Sequence, residues 1–233
     1  APLIAPAEID EGQVVVDYGC GPGMLSLELA RRVGPSGRVH AVDINAMFLE
    51  RAEAHARHEG LADRIRFHQL ERDALPLPDQ SVDRVVCKNV LEYVDDPVET
   101  LRDFRRTLRP GGLVHATDSD WGMLAVEPIG PERLARVFEA ASVAYRTPLI
   151  GRKLYGMLRA AGYEDVRVAV LAGPDTKGRA APILFNMARY ARESKRLDAA
   201  EIDRFVEDVK RAIDERTYFL VLPQFLVTAT API

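Results

Sequence analysis

The sequence predicts an α/β fold, a mostly parallel sheet with helices on both faces. Three observations carry this. Short valine-rich runs alternate with amphipathic helical patterns through the first half of the chain. Clusters of Gly, Pro, Asp and Ser separate those runs. The chain has 233 residues, 47% of them hydrophobic, enough for one sizeable core. Strand–helix alternation of this kind runs through right-handed crossovers and buries a parallel sheet on both faces.

Taken in order, 13–18 reads as a strand, and 23–33 as a helix with Leu25, Leu29 and Val33 at helical spacing. "GPSG" is a turn before a strand over 38–43. Asn45 caps a helix that runs to His58. Strands follow over 64–70 and 81–87. Asp96 and Pro97 start a helix ending near Leu108, "RPGG" ends it, and 113–117 is a fifth strand. Helices over 132–145 and 149–161 lead to a strand over 166–171, then helices over 181–193 and 199–215. A last strand spans 217–228, with Pro223 marking a bulge or an edge. The whole reads as one domain over 1–233. Residues 13–118 form a binding core, 119–216 supply pocket helices and a sixth strand, and 217–230 close the sheet.

Charged residues make up 28% of the chain and the net charge is −4, which gives no electrostatic basis for nucleic-acid binding. No apolar run approaches the roughly 18 residues of a membrane span. Two cysteines, Cys20 and Cys87, make no disulfide framework and fit a reducing cytoplasm. His55 and His58 stand three apart on a helix without a third ligand nearby, so a solvated face is expected and no metal. His40, His68 and His115 lie within strands as structural residues. Arg105, Arg106 and Arg109 suit the negative end of a helix dipole.

The chemistry concentrates in "VVVDYGCGPGMLSLELA", residues 14–30. Asp17, Gly19, Gly21 and Gly23 fall where a strand becomes a helix. Glycines there let the backbone approach a ligand, and the helix start offers free N–H groups. Asp43 ends the second strand about twenty residues on, where a carboxylate accepts from ribose hydroxyls. A dinucleotide would want G-x-G-x-x-G; the spacing here is G-x-G-x-G, led by an acid. Asp17 would repel a pyrophosphate and attract a cationic amino acid, which points to S-adenosylmethionine.

Three further segments, "ERDALPLP", "SVDRVVCKNVLEYVDDP" and "LRDFRRTLRPGGLVHATD", stand in register with that loop. Together these motifs, over 14–118, resemble the class I S-adenosylmethionine-dependent methyltransferases, in the small-molecule group that includes the quinone-biosynthesis type. The resemblance implies a Rossmann-like, seven-stranded, mostly parallel sheet with an antiparallel last strand and helical additions. It implies that Asp17, Gly19, Cys20, Gly21, Gly23 and Met24 border the methionine moiety of the cofactor. Asp43 would hold the ribose, with Ile44 and Met47 near the adenine; Arg72, Asp73 and Ala74 would border the adenine's other side. Lys88, Asn89 and Tyr93 would meet cofactor and acceptor. Tyr18 stands where an aliphatic residue is usual, so its hydroxyl is expected to face the methyl group or the acceptor as a catalytic and substrate-binding group. A covering helical segment usually precedes the first strand, and few residues precede it here.

"DSDWGMLAVEP" leaves the fifth strand on the ligand side. Its Trp121 is either a core plug or an aromatic wall for the acceptor. Asp118 or Asp120 could orient an acceptor proton or act as base. Tyr145, Arg146, Tyr155, Asn186 and Tyr190, in the helical additions, are candidate pocket residues.

The expected function is methyl transfer by in-line displacement from S-adenosylmethionine, leaving S-adenosylhomocysteine. The expected acceptor is a small, aromatic or polyketide-like secondary metabolite of natural-product biosynthesis, in the cytoplasm. A homodimer is possible; nucleic-acid and membrane partners are not expected. The alternatives are a non-methylating S-adenosylmethionine-binding protein or cyclase, and, less well supported, an NAD-dependent oxidoreductase.

Overall fold

The computed structural model describes residues 3–71 and 73–233. Its first half runs β1 (Val14–Tyr18), α1 (Met24–Val33), β2 (Arg38–Asp43), α2 (Ala46–His58), β3 (Ile65–Gln69), β4 (Val82–Lys88), α3 (Pro97–Thr107) and β5 (Leu108–Ser119). Then come β6 (Ala125–Glu127), α4 (Pro131–Ala141), α5 (Ile150–Ala160), β7 (Glu164–Leu171), α6 (Ala181–Ser194), α7 (Ala199–Asp214), β8 (Phe219–Val221) and β9 (Gln224–Thr230). Seven strands form one sheet in the order β3-β2-β1-β4-β5-β9-β7. The first five pair in parallel, with Tyr18 opposite both Val42 and Cys87. That register brings the ends of β1, β2 and β4, and the loops leaving them, to one edge of the sheet.

Local signals explain the helix starts. The Asn45 side chain accepts from Met47 N–H and Phe48 N–H, and Asp96 accepts from Val98 N–H and Glu99 N–H with Pro97 in the first turn. α1 buries Leu27, Leu29, Ala30 and Val33 against Val15, Val39 and Ala41 of the sheet. α3 buries Leu101 and Phe104, and the Tyr163 hydroxyl donates to the Leu101 carbonyl at 3.0 Å.

Three expectations are corrected. "RPGG" does not end the helix in a turn; it lies inside the twelve-residue β5, as an irregularity where the pairing jumps from Val82–Leu108 to Arg84–Leu113. Gly111, at φ +73°, absorbs the bend there. The last strand is two strands, because Pro223 has no N–H to continue the ladder. β8 pairs antiparallel with β6, inside the stretch read as a loop, and β9 enters the main sheet.

By contact density the chain divides into two compact units. The first comprises 1–118, 151–169 and 225–233; the second comprises 119–150 and 170–224. The second unit has its own core, in which Leu134, Val137, Leu184, Met187, Phe205 and Val209 pack together. No helix of the described residues is long and apolar enough to cross a membrane.

Phe205 is fully buried in that core. Phe205→Ala is expected to lower unfolding free energy by about 3–5 kcal/mol. Asp198→Ala, which removes the cap accepting from Ala200 N–H and Glu201 N–H at the start of α7, is expected to cost about 1 kcal/mol. Urea denaturation with an unchanged m-value checks both.

Candidate functional site

The loop after β1 is built from main-chain bonds and close contacts. Gly19 N–H and Cys20 N–H both donate to the Val42 carbonyl at 2.9 Å, fastening the loop to β2. Gly19 has φ +71°, and a Cβ there would meet a Val90 methyl at 2.3 Å. Gly23, the N-cap of α1 at φ +86°, faces Ala52 so closely that a Cβ would lie 2.7 Å from its side chain. Gly21 differs. At φ +52°, a Cβ there would find nothing within 4 Å. Two glycines are thus required by neighbours, and the third leaves an open side on the loop.

Asp43 spans the opening. One carboxylate oxygen accepts from Gly21 N–H and the other from Asn45 N–H, each at 2.8 Å. Ile44 and Met47 beside it are 65% and 61% exposed, and Met24 is 67% exposed. Such exposure of large apolar side chains around one loop suits a ligand with an apolar face.

Asp17 is 1% exposed, and Ser26 donates to it at 2.5 Å. Burial pushes its carboxyl up to about 7; the Ser26 hydroxyl pulls it back and the Asp43 charge adds to the rise. A buried acid of this kind favours a cation beside it. Cys20 is buried, and burial raises its thiol well above the ordinary range, so it is unreactive.

The fourth strand contributes Lys88, then Asn89 in a left-handed conformation at φ +54°. The Asn89 N–H donates to the Thr117 carbonyl at 2.8 Å, while its side-chain Oδ1 is buried without a hydrogen-bond partner among the described residues. Strain and an unsatisfied oxygen together mark a functional position. Tyr93 is 42% exposed, and its N–H donates to the Val90 carbonyl. Ala74 is exposed, and Asp73 Oδ2 accepts from Asp95 N–H at 3.4 Å. Arg72 lies outside the described residues.

Tyr18 is not where the sequence led us to expect it. Its side chain is 2% exposed, its ring meets Phe104 edge-on at 4.6 Å, and its hydroxyl donates to the Asp73 carbonyl at 2.8 Å. The hydroxyl is committed to main chain, and burial holds its proton well above the ordinary phenol range. Asp118 ends its unit's part of β5, fully buried. Asp120 is also fully buried and accepts from Gly122 N–H, capping a short turn.

In the second unit, Trp121 and Tyr145 are each 7% exposed, with ring centres 5.0 Å apart, and Tyr190 meets Tyr145 at 6.2 Å. This cluster belongs to the unit's hydrophobic core, so Trp121 takes the core-plug reading there. Arg146 is exposed. Two further candidate pocket residues have settings of their own. Asn186 is exposed and its Oδ1 accepts from Arg189 one helical turn on, a surface pair. Tyr155 lines a concavity with Arg159, Val166 and Thr230. That concavity lies by β7, four strand spacings or about 19 Å from β1, and by the end of antiparallel β9, away from the glycine loop. The residues that sequence reading missed are Ser26, Val90, Asp103 and Arg106. Ser26 bonds Asp17 nine residues earlier, and the other three meet the loops through long-range contacts that leave no local pattern.

With the geometry in view, comparison identifies the family. The profile described as "Methyltransferase domain" matches residues 9–162. The chain belongs to that family, of the class I, S-adenosylmethionine-dependent kind, and S-adenosylmethionine is its cofactor. It is similar to the quinone-biosynthesis type. The ubiquinone/menaquinone biosynthesis C-methyltransferase UbiE of Hahella chejuensis is 42% identical over 101 residues, covering 43% of this chain and 41% of that protein. The chain spans about half or less of the length of the curated relatives it matches, from 20% to 54% of the first four. Two solved structures share the fold at low identity. The [4+2]-cyclase SpnF has a TM-score of 0.65 at 21% identity over 100% of this chain and 80% of SpnF. A SAM-dependent methyltransferase from Aquifex aeolicus scores 0.60 at 18% over 99% of this chain and 88% of that one. The residues present fit such a cofactor in chemistry: an open-sided Gly21, a buried acid, a carboxylate at the end of β2, and an exposed apolar lip.

The glycines separate by role. Gly19→Ala, which combines left-handed strain with the Val90 clash, is expected to cost about 2–4 kcal/mol of stability. Gly21→Ala is expected to cost about 1 kcal/mol yet weaken S-adenosylhomocysteine binding at least tenfold, because the added methyl fills the open side. Thermal melts and calorimetric titration distinguish the two.

Proposed function

We propose that this protein transfers a methyl group from S-adenosylmethionine to a small-molecule acceptor, an aromatic or polyketide-like secondary metabolite of natural-product biosynthesis, in the cytoplasm. The observation that carries the reading is the Asp17–glycine loop–Asp43 arrangement, in which Gly19 and Gly23 are filled by Val90 and Ala52 and Gly21 is left open. The name of the Hahella chejuensis relative, a C-methyltransferase of quinone biosynthesis, supports an aromatic acceptor.

When bound, the cofactor supplies a methyl group on a positively charged sulfur, activated for in-line displacement. Everything else falls to the chain. Asp17 faces the ammonium, its ionisation favoured by that charge. Asp43 receives the ribose hydroxyls while its Gly21 and Asn45 bonds hold it in place. Ile44 and Met47 cover one face of the adenine, and Asp73 accepts from its amino group. The Asn89 Oδ1 takes a hydrogen bond from cofactor or acceptor. Asp118, in the same unit as the glycine loop, is the carboxylate that orients the acceptor or holds its departing proton. The protein's contribution is position and exclusion of water, with proton removal needed only where the attacking atom carries a proton that must leave.

Purified protein is expected to bind S-adenosylmethionine and S-adenosylhomocysteine in the micromolar range. Asp43→Ala should weaken both about a hundredfold, through loss of charge-assisted hydrogen bonds. Methyl-labelled cofactor incubated with small-molecule extracts should yield a labelled small molecule. Binding with no transfer to any acceptor would favour a cofactor-binding protein with another reaction, and no binding at all would overturn the proposal.

Asp17 sets a pH dependence. Below about 7 its carboxyl is protonated in the free protein and cannot attract the ammonium. Affinity should therefore fall about tenfold per pH unit below that point and level off above it. Asp17→Asn should hold affinity at the weak, low-pH level and flatten the profile. Titrations from pH 5.5 to 8.5 check this.

A further inference from the structure

We propose that Tyr18 is the positioning residue of the adenine loop: its hydroxyl, bonded to the Asp73 carbonyl, aims the Asp73 carboxylate and so sets the preference for adenine over other purines. The proposal rests on the reading above that Asp73 borders the adenine.

The case begins with what the loop lacks. Among the described residues between β3 and β4 no helix forms, so they make no helical hydrogen bonds of their own. It is held from outside. Leu75 N–H donates to Asp103 Oδ2 at 2.6 Å, and the Arg106 guanidinium donates to the Leu75 and Leu77 carbonyls at 3.1 and 2.9 Å. Those holds come from α3 and act on the downstream half of the loop. At Asp73 the main chain is held from the sheet, by Tyr18, 55 residues earlier in the chain.

Tyr18 is a firm anchor. It is the last residue of β1, paired with Val42 on one side and Cys87 on the other. Its ring stands edge-on to Phe104 with an interplanar angle of 64°, and it is 2% exposed. Packing alone does not require the hydroxyl, because an apolar ring would fill the same space. What the oxygen adds is the bond to Asp73. Gly19 follows directly, so one residue ends the strand that carries the glycine loop and also fixes the main chain at Asp73.

Adenine presents an amino group where hypoxanthine presents a carbonyl. A carboxylate held to accept from that amino group loses its bond to hypoxanthine and meets an oxygen instead, and a site built around one hydrogen bond discriminates strongly against its absence. If the Asp73 main chain is released, its carboxylate shifts and the discrimination falls.

The test is calorimetric titration of S-adenosylhomocysteine and its deaminated analogue, S-inosylhomocysteine, into wild type, Tyr18→Phe and Asp73→Ala. Wild type is expected to prefer the adenine ligand by about tenfold or more. Tyr18→Phe should bind S-adenosylhomocysteine about three- to tenfold more weakly, bind the analogue unchanged, and melt within a few degrees of wild type. Asp73→Ala should abolish the preference with Tyr18 in place. A folded Tyr18→Phe that keeps the full preference overturns the proposal. So does a Tyr18→Phe that is unfolded at 25 °C, since the hydroxyl would then be a global stabiliser and not a local tether. If wild type itself shows no preference, the assignment of Asp73 to the adenine is what fails, and the role of Tyr18 goes with it.

Discussion

The carboxylate of Asp43 is the contact on which the site depends. It accepts from Gly21 N–H in the glycine loop and from Asn45 N–H at the head of α2, so one side chain joins the end of β1, the end of β2 and the start of a helix. Bonds from main-chain N–H to an ionised carboxylate are stronger than neutral ones. The Asn45 side chain in turn caps α2, and Val42, one residue before Asp43, takes the N–H groups of Gly19 and Cys20. The loop is thereby shaped with an open side at Gly21, while Val90 and Ala52 fill the sides of Gly19 and Gly23.

That arrangement carries a cost in stability that function explains. Asp17 is buried with Ser26 as its hydrogen-bond donor, and burial pushes its carboxyl up to about 7 although the Ser26 hydroxyl and the Lys88 charge pull it back. Asn89 occupies a left-handed conformation and keeps an unpaired side-chain oxygen. Neither feature would be selected for folding alone.

The segment around Leu75 and Leu77 is maintained differently, by side chains acting on main chain. Arg106 pairs with Asp79 and Asp103, but the Asp79 side chain is 73% exposed, and an exposed ion pair contributes little. The bonds from Arg106 and Asp103 to the main chain of Leu75 and Leu77 constrain the loop more, because they replace the helical bonds that this segment does not make.

Much of this was legible in the sequence. The alternation of valine-rich runs and amphipathic patterns, the caps at Asn45 and Asp96, and the acid-led glycine loop all depend on neighbours a few residues apart, and local sterics and turn chemistry decide them. Other features depended on which distant segments meet. "RPGG" reads as a helix stop, yet the sheet draws it into β5. Residues 217–228 read as one strand, yet Pro223 divides them between two sheets. The Tyr18 hydroxyl reads as reactive until Asp73 is found beside it, and Tyr155 reads as a pocket residue until the strand order sets it by β7. The sequence determined the elements and the chemistry of the cofactor loop because those are short-range. Only the tertiary structure decided which side chains are free to act, because burial and hydrogen-bond partners are properties of long-range packing.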